Sequence, residues 1–264
     1  VRIRPLLGFE SGVGGGVVVP TFSDDTGSYC VCRSSRHGSL ENFEFDYVFE
    51  GGCGQEELYD RCVRWLVDRF LDGYNASLLA YGQTGSGKTY TLGMECKERS
   101  GVMWRLLSDV FSGGVDRGDT FRVSFIEVYQ EEIYDLLQED GGGGVAVHQT
   151  ADGRIYLGGV CEEVVSGVDE CVEVLRRGLE RRSVGATAMN AESSRSHAIL
   201  TICRASAGGG DAISKFQLVD LAGSERQTRT NAEGMRLREG IKINYGLFVL
   251  GNVISILAAS DDRS

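Results

Sequence analysis

Residues 77–81 form a short apolar run that passes directly into Gly82-Gln83-Thr84-Gly85-Ser86-Gly87-Lys88-Thr89. Few sequence features restrict a fold more. A strand must deliver the chain into a tight glycine turn, and a helix must receive it. The spacing fits G-x-x-x-x-G-K-S/T, the phosphate-binding loop (P-loop). Its glycines let successive backbone N–H groups turn inward on one anion. Lys88 can reach the β- and γ-phosphates of a nucleotide, and the Thr89 hydroxyl can ligate Mg²⁺. The helix starting near Lys88 turns its positive end toward the phosphates. By itself the loop says nucleotide and nothing finer.

Other segments rich in β-branched, aromatic or leucine residues read as strands: 1–6, 43–49, 120–129, 198–205 and 212–221. Helical spacing occurs at 56–71, where Leu58, Cys62, Trp65, Leu66 and Phe70 share a face. It recurs at 169–182 through Val172, Leu175 and Leu179, and at 239–258 through Ile243, Leu247, Leu250, Val253, Ile254 and Leu257. These stripes are read as core faces. Strands interleaved with helices indicate an α/β layered domain. The glycine-rich stretches 12–16, 141–144 and 208–210 read as surface loops, and no linker long enough to divide the 264 residues into two domains is seen.

The net charge of −11 argues against a generally basic nucleic-acid binder. The longest apolar runs fall far short of the ~20 residues a membrane-spanning helix needs, and no signal peptide is visible. None of the eight cysteines stands in a C-x-x-C pair. They read as scattered thiols in a reducing compartment rather than as a metal site. The chain opens at Val1 inside a regular element and reads as clipped.

Two further segments decide the class. Asn190-Ala191-Glu192-Ser193-Ser194-Arg195-Ser196-His197 immediately precedes a strand, and Asp220-Leu221-Ala222-Gly223-Ser224-Glu225 follows one. An Asp at a strand end is where a Walker-B carboxylate holds Mg²⁺ through water, and Gly223 lets the backbone approach a γ-phosphate closely. N-x-x-S-S-R-S-H and D-L-A-G-S-E resemble switch I and switch II of the kinesin superfamily. The likeness extends along nearly the whole chain. Val1-Arg2-Ile3-Arg4-Pro5 resembles the opening strand that flanks adenine. Residues 43–49 with Gln55 and Tyr59, and residues 124–137, are similar to further family segments, and 239–257 resembles the switch II helix. Lys215-Phe216, Arg226-Gln227 and Asn244-Tyr245-Gly246-Leu247 look most like the chromokinesin (kinesin-4) branch. At 101–105 this chain lacks the Pro that kinesins usually carry before the Arg.

The resemblance implies a single P-loop NTPase motor domain over 1–264. Its central sheet would be mixed, mostly of parallel type, with helices on both faces. It implies that ATP and Mg²⁺ dock on Gly82 to Thr89, with Arg2, Arg4, Pro5 and Tyr90 framing the adenine. Thr89 and Ser194 would ligate Mg²⁺, with Asp220 behind them. Gly223 N–H would sense the γ-phosphate, and an Arg195–Glu225 ion pair would close the site, Glu225 also relaying the proton of the attacking water. Ser193 and Asn244 belong to the same implied catalytic set. The expected partner is the microtubule, met by the locally basic stretch 226–242 with Arg226, Arg229, Arg236, Arg238 and Lys242. The expected location is cytoplasmic, on the cytoskeleton, with no nucleic-acid or membrane contact and any dimerisation through a stalk outside this chain. The family's last sheet strand, final helices and neck linker would follow Ser264, that strand lying between the opening strand and the P-loop strand. Two function classes stand: an active motor ATPase, favoured by the intact catalytic residues, and a non-motile microtubule-binding scaffold with vestigial turnover.

Overall fold

A computed structural model describes residues 1–4, 21–23, 29–34, 40–94, 101–115, 117–138, 144–153, 155–189, 193–205, 213–225 and 235–261. They fall into two compact units, 1–61 and 62–264. The first holds an antiparallel meander of β1 (Thr21–Ser23), β2 (Tyr29–Ser34) and β3 (Leu40–Phe45). The opening residues are expected to form a strand. They make a single parallel bridge, Arg2 with Phe49, flanked by Ile3 N–H to Phe49 O at 2.8 Å.

Helix α1 (Gln55–Cys62) and helix α2 (Arg64–Leu71) replace the one helix expected at 56–71. The chain breaks at Val63 (φ −119°), whose carbonyl accepts from both Leu66 and Val67. The break resets the helical phase. Val63, Val67 and Phe70 turn inward together, and Trp65, expected on the buried face, is 56% exposed.

The second unit is built on a sheet ordered β4–β11–β10–β5–β6, with β9 also on β5. The strands are β4 (Ala76–Ala80), β5 (Thr120–Tyr129), β6 (Glu132–Asp135), β9 (Glu163–Val165), β10 (His197–Ala205) and β11 (Ser214–Asp220). A separate hairpin joins β7 (Ala146–Gln149) to β8 (Ile155–Gly158). The main sheet is mixed, but parallel pairing is confined among the described strands to β4 with β11; the other pairs are antiparallel. The connections explain this departure from a mostly parallel sheet. β5 and β6 are joined by two residues, Gln130 and Glu131, both at positive φ (54° and 71°), as a tight hairpin requires. β4 and β11, far apart in sequence, meet through a long crossover. β4 is bonded on one edge only among the described strands.

Alternation along the strands sorts the two faces. Phe121, Val123 and Phe125 share one face with Leu200, Ile202, Phe216 and Leu218, all 2% exposed or less. Onto it pack α2, α4 (Val102–Val115) and α5 (Val168–Met189). Phe70 meets Phe216 edge-on with ring centroids 5.8 Å apart, and Phe111 meets Phe121 at 5.0 Å. α5 buries Cys171, Val174 and Leu175 and leaves Val172 and Leu179 half-buried. Its Gly178 lets the Phe125 ring lie against the helix backbone, since a Cβ there would collide with the ring.

The opposite face carries α6 (Met235–Asp261). Its stripe was expected to be a core face. Instead Leu247 and Leu250 are half-buried, while Val253, Ile254 and Leu257 are 47%, 54% and 61% exposed. Tyr245, Phe248 and Ile256 are exposed too, so apolar residues point to all sides of the helix. Such a helix has no single face to bury, and the sheet covers only the side bearing Leu247 and Leu250.

A candidate nucleotide site

Parallel pairing matches Ala80 to Asp220, so β4 and β11 end level and their following loops open at one place. The carboxyl ends of parallel strands are where open α/β sheets bind ligands. The loop after β4 turns through Gly85 (φ 76°) and Gly87 (φ 94°), conformations that L side chains rarely adopt. Helix α3 (Lys88–Leu92) follows and stops at Gly93 (φ 77°). With only five residues it contributes little macrodipole, so an anion at this loop would be met chiefly by the loop's own N–H groups and Lys88.

Lys88 Nζ donates to the carbonyls of Gly82 (2.9 Å) and Gln83 (3.1 Å). Burial pushes its pKa below the usual lysine value, opposed by the carboxylates of Asp220 and Glu225. The Thr89 hydroxyl donates to Asp220 Oδ2 at 2.7 Å. Asp220 is 5% exposed, and its Oδ1 has no hydrogen-bond partner among the described residues. A buried, unmatched carboxylate oxygen beside a P-loop threonine is the donor set a hard divalent cation takes, so these residues fit Mg²⁺. Among the described residues, no cluster of three His, Cys, Asp or Glu offers another metal site.

The two switch segments meet at this edge. Ser193–Arg195 is a short 3₁₀ turn leading into β10. Gly223 N–H donates to Ser194 O at 2.8 Å, and Ser224 N–H to Gly82 O at 3.2 Å. A Cβ on Gly223 would meet the Glu225 carboxylate and the Thr84 hydroxyl, so a larger residue there would have to displace both side chains. Glu225 accepts from Thr84 N–H (2.8 Å) and Thr84 Oγ1 (2.5 Å). Burial pushes its carboxyl up, but the Thr84 hydroxyl and N–H, with Lys88, more than offset this and hold it below the usual glutamate value. The expected partner Arg195 is not among these contacts; it lines a neighbouring cavity of about 340 Å³ beneath α6.

The remaining expected residues divide. Tyr90 lies on α3 and is exposed. Arg2 and Arg4 belong to the first unit, where Arg2 donates to Gln55 Oε1 (2.7 Å) and Cys53 O (3.3 Å). Pro5 and residues 226–234 fall outside the described residues, as do the side chains of Ser193, Arg236, Arg238, Lys242 and Asn244. Sequence reasoning passed over a cluster next to the site. Arg182 Nε binds Glu127 Oε1 at 2.8 Å, and Ser196 Oγ donates to the same oxygen. A lone carboxylate on the inward side of an apolar strand, Glu127 in TFRVSFIEVY, was the available signal.

The Kinesin motor domain model matches residues 2–264. The chain belongs to the kinesin motor-domain family. Similar proteins include "Kinesin-like protein KIN-4C" of Arabidopsis thaliana, 42% identical over 86% of this chain, and "Chromosome-associated kinesin KIF4" of Gallus gallus, also 42% over 86%. Both are kinesin-4 members, in keeping with the branch resemblance at Asn244-Tyr245-Gly246-Leu247. This chain covers 20% of each, so it spans about a fifth of the length of these relatives. Among solved structures, one titled for a fast kinesin superposes with a TM-score of 0.77 at 37% identity, covering 92% of this chain and 70% of that one. Among the described residues, no helix of this kinesin chain is long and apolar enough to cross a membrane.

Proposed function

We propose that this chain is the head of an ATP-hydrolysing microtubule motor, with 1–264 a single motor domain. The observation that carries the reading is the Thr89–Asp220 contact with its unmatched Asp220 Oδ1, at the mouth of an intact P-loop. Gly82 to Thr89 cradle the phosphates of ATP, Lys88 leaving the Gly82 and Gln83 carbonyls to reach them. The family resemblance assigns the adenine to Arg2, Arg4, Pro5 and Tyr90. Thr89 and Ser194 hydroxyls would hold Mg²⁺, with Asp220 accepting from its water; the ion, when bound, neutralises charge developing on the transferred phosphoryl group. Gly223 N–H exchanges the Ser194 carbonyl for the γ-phosphate. Glu225 exchanges Thr84 for Arg195, closing the site and taking the proton of the attacking water; the family resemblance adds Ser193 and Asn244 to the catalytic set. Positioning and electrostatics supply most of the rate in phosphoryl transfer, so closure is the chemical step's control.

The microtubule is met by 226–242, where basic side chains outnumber acidic ones on an acidic chain. The head works in the cytoplasm on the cytoskeleton, without nucleic-acid or membrane contact, any dimerisation running through a stalk outside this chain. ATPase of the full-length protein with and without microtubules tests the reading, alongside Lys88→Ala. Microtubule-stimulated turnover, lost with tight ATP binding in Lys88→Ala, is expected. Tight nucleotide binding with no turnover, stimulated or basal, would convert the reading to that of a non-motile scaffold.

A further inference from the structure

Two consecutive amides after β11 are tied to the entry of β10, and the ties differ in kind. Gly223 N–H goes to a backbone carbonyl, Ser194 O, on the short 3₁₀ turn. Ala222 N–H goes to a side chain, Nδ1 of His197 at 3.0 Å, on the first residue of the strand. Because the amide donates, Nδ1 carries a lone pair, and the neutral ring has its proton on Nε2. Burial, with Arg182 behind it, holds His197 below the usual histidine range against the pull of Asp220.

The ring is braced from the residue before it. Ser196 is 1% exposed; its hydroxyl donates to Glu127 Oε1 and accepts from an Arg182 guanidinium nitrogen at 3.0 Å. Arg182 on α5 and Glu127 on β5 are largely buried, side chains 9% and 16% exposed. Removing either charged partner strands the other, which makes the cluster stiff. On the other side His197 lines the cavity whose far wall is Gly246, Leu247 and Leu250 of α6, and a Cβ on Gly246 would lie 4.0 Å from Nε2.

We propose that His197 is a positioning residue for the ATPase, anchoring Ala222 so that Gly223 N–H can change its acceptor while the residue before it stays in place. The inference rests on the reading of Gly223 as the γ-phosphate contact. Ala222 is fully buried, and an amide there without a partner would let the Gly223 turn drift. His197 acts through Ala222 and touches no reacting atom.

Asparagine and glutamine separate this role from a merely structural one, since they carry the same group to different places. In His197→Asn the side-chain carbonyl stands near the Nδ1 position, whereas in His197→Gln it stands near Nε2, facing α6. In the full-length protein, His197→Asn should keep kcat within about three-fold of wild type and His197→Gln should lose about ten-fold, both with unchanged affinity for labelled nucleotide. Hydrogen exchange of the peptide containing Ala222 should stay slow in His197→Asn and speed up in His197→Gln. The two variants behaving alike in exchange and in kcat, or glutamine being the better substitute, overturns the proposal. Exchange needs no turnover: an inactive wild-type protein would count against the ATPase reading alone, and the exchange comparison would still decide the anchor.

Discussion

The two faces of the main sheet are built from the same strands and packed to different ends. One is closed by the rings of Phe70, Phe111, Phe121, Phe125 and Phe216, and three helices lie on it. The other bears Leu79, Ile199 and Val219 against α6 across a cavity of about 340 Å³, with Leu79 40% exposed. Close packing has one good arrangement and resists change. A loosely covered face can take a second arrangement at small cost, and the elements that move in switching come from such regions. Stability resides on the first face. The two segments that resemble switches sit where the second face reaches the P-loop edge, with Arg195 and His197 both lining the cavity.

This contrast can be broken by substitution. Phe125→Ala, at a fully buried ring under Gly178, should destabilise the fold by about 3–5 kcal/mol in chemical denaturation; a loss under about 1 kcal/mol would mean that this face is not where stability is held. Arg182→Met strands the Glu127 carboxylate and should cost about 3–5 kcal/mol, whereas joining it with Glu127→Leu should recover much of that. A double substitution as damaging as the sum of the singles would show that the pair is not a coupled unit. Glu225→Ala should cut hydrolysis by about 10²–10³ and lower the melting temperature only slightly, through loss of its Thr84 contacts. It should bind ATP at least as tightly, because Thr84 N–H is released. Loss of affinity with normal turnover of what is bound would reverse the assignment. The smallest effect belongs to the loose face. Leu79→Ala should cost less than about 1 kcal/mol, the residue being 40% exposed, and a penalty rivalling that of Phe125→Ala would erase the difference between the faces.

The nucleotide loop was legible because its chemistry is local. Eight consecutive residues between an apolar run and a helix specify the turn, the charge and the hydroxyl, and the structure keeps them together from Gly82 to Thr89. The central strands were legible from their β-branched, aromatic and leucine content, as at 120–129, whereas the opening residues make only a single bridge and the short strands β1, β2 and β6 to β9 were not foreseen. Periodicity says which residues share a face and nothing about what that face meets. The stripe of α6 therefore read as core, and only the three-dimensional arrangement leaves Val253, Ile254 and Leu257 exposed. The break at Val63 escaped for another reason. A helix can stop without proline or glycine when a buried β-branched side chain is better placed by leaving it.

Partner choice, too, was beyond one-dimensional reading. Arg195 and Glu225 both stand in the sequence as candidate closing charges, yet pairing depends on distance through space. In the folded chain Glu225 lies against Thr84, 141 residues away, and Ala222 against His197. From its residues alone the chain determined its class and proposed its phosphate loop and switch residues, because each is written in a short contiguous pattern. Tertiary structure decided which sheet face is dry, which carboxylate oxygen lies buried beside Thr89, and which side chain holds the amide before Gly223. Those are properties of strands brought together from distant parts of the sequence, and hydrogen bonding and burial are settled only once they meet.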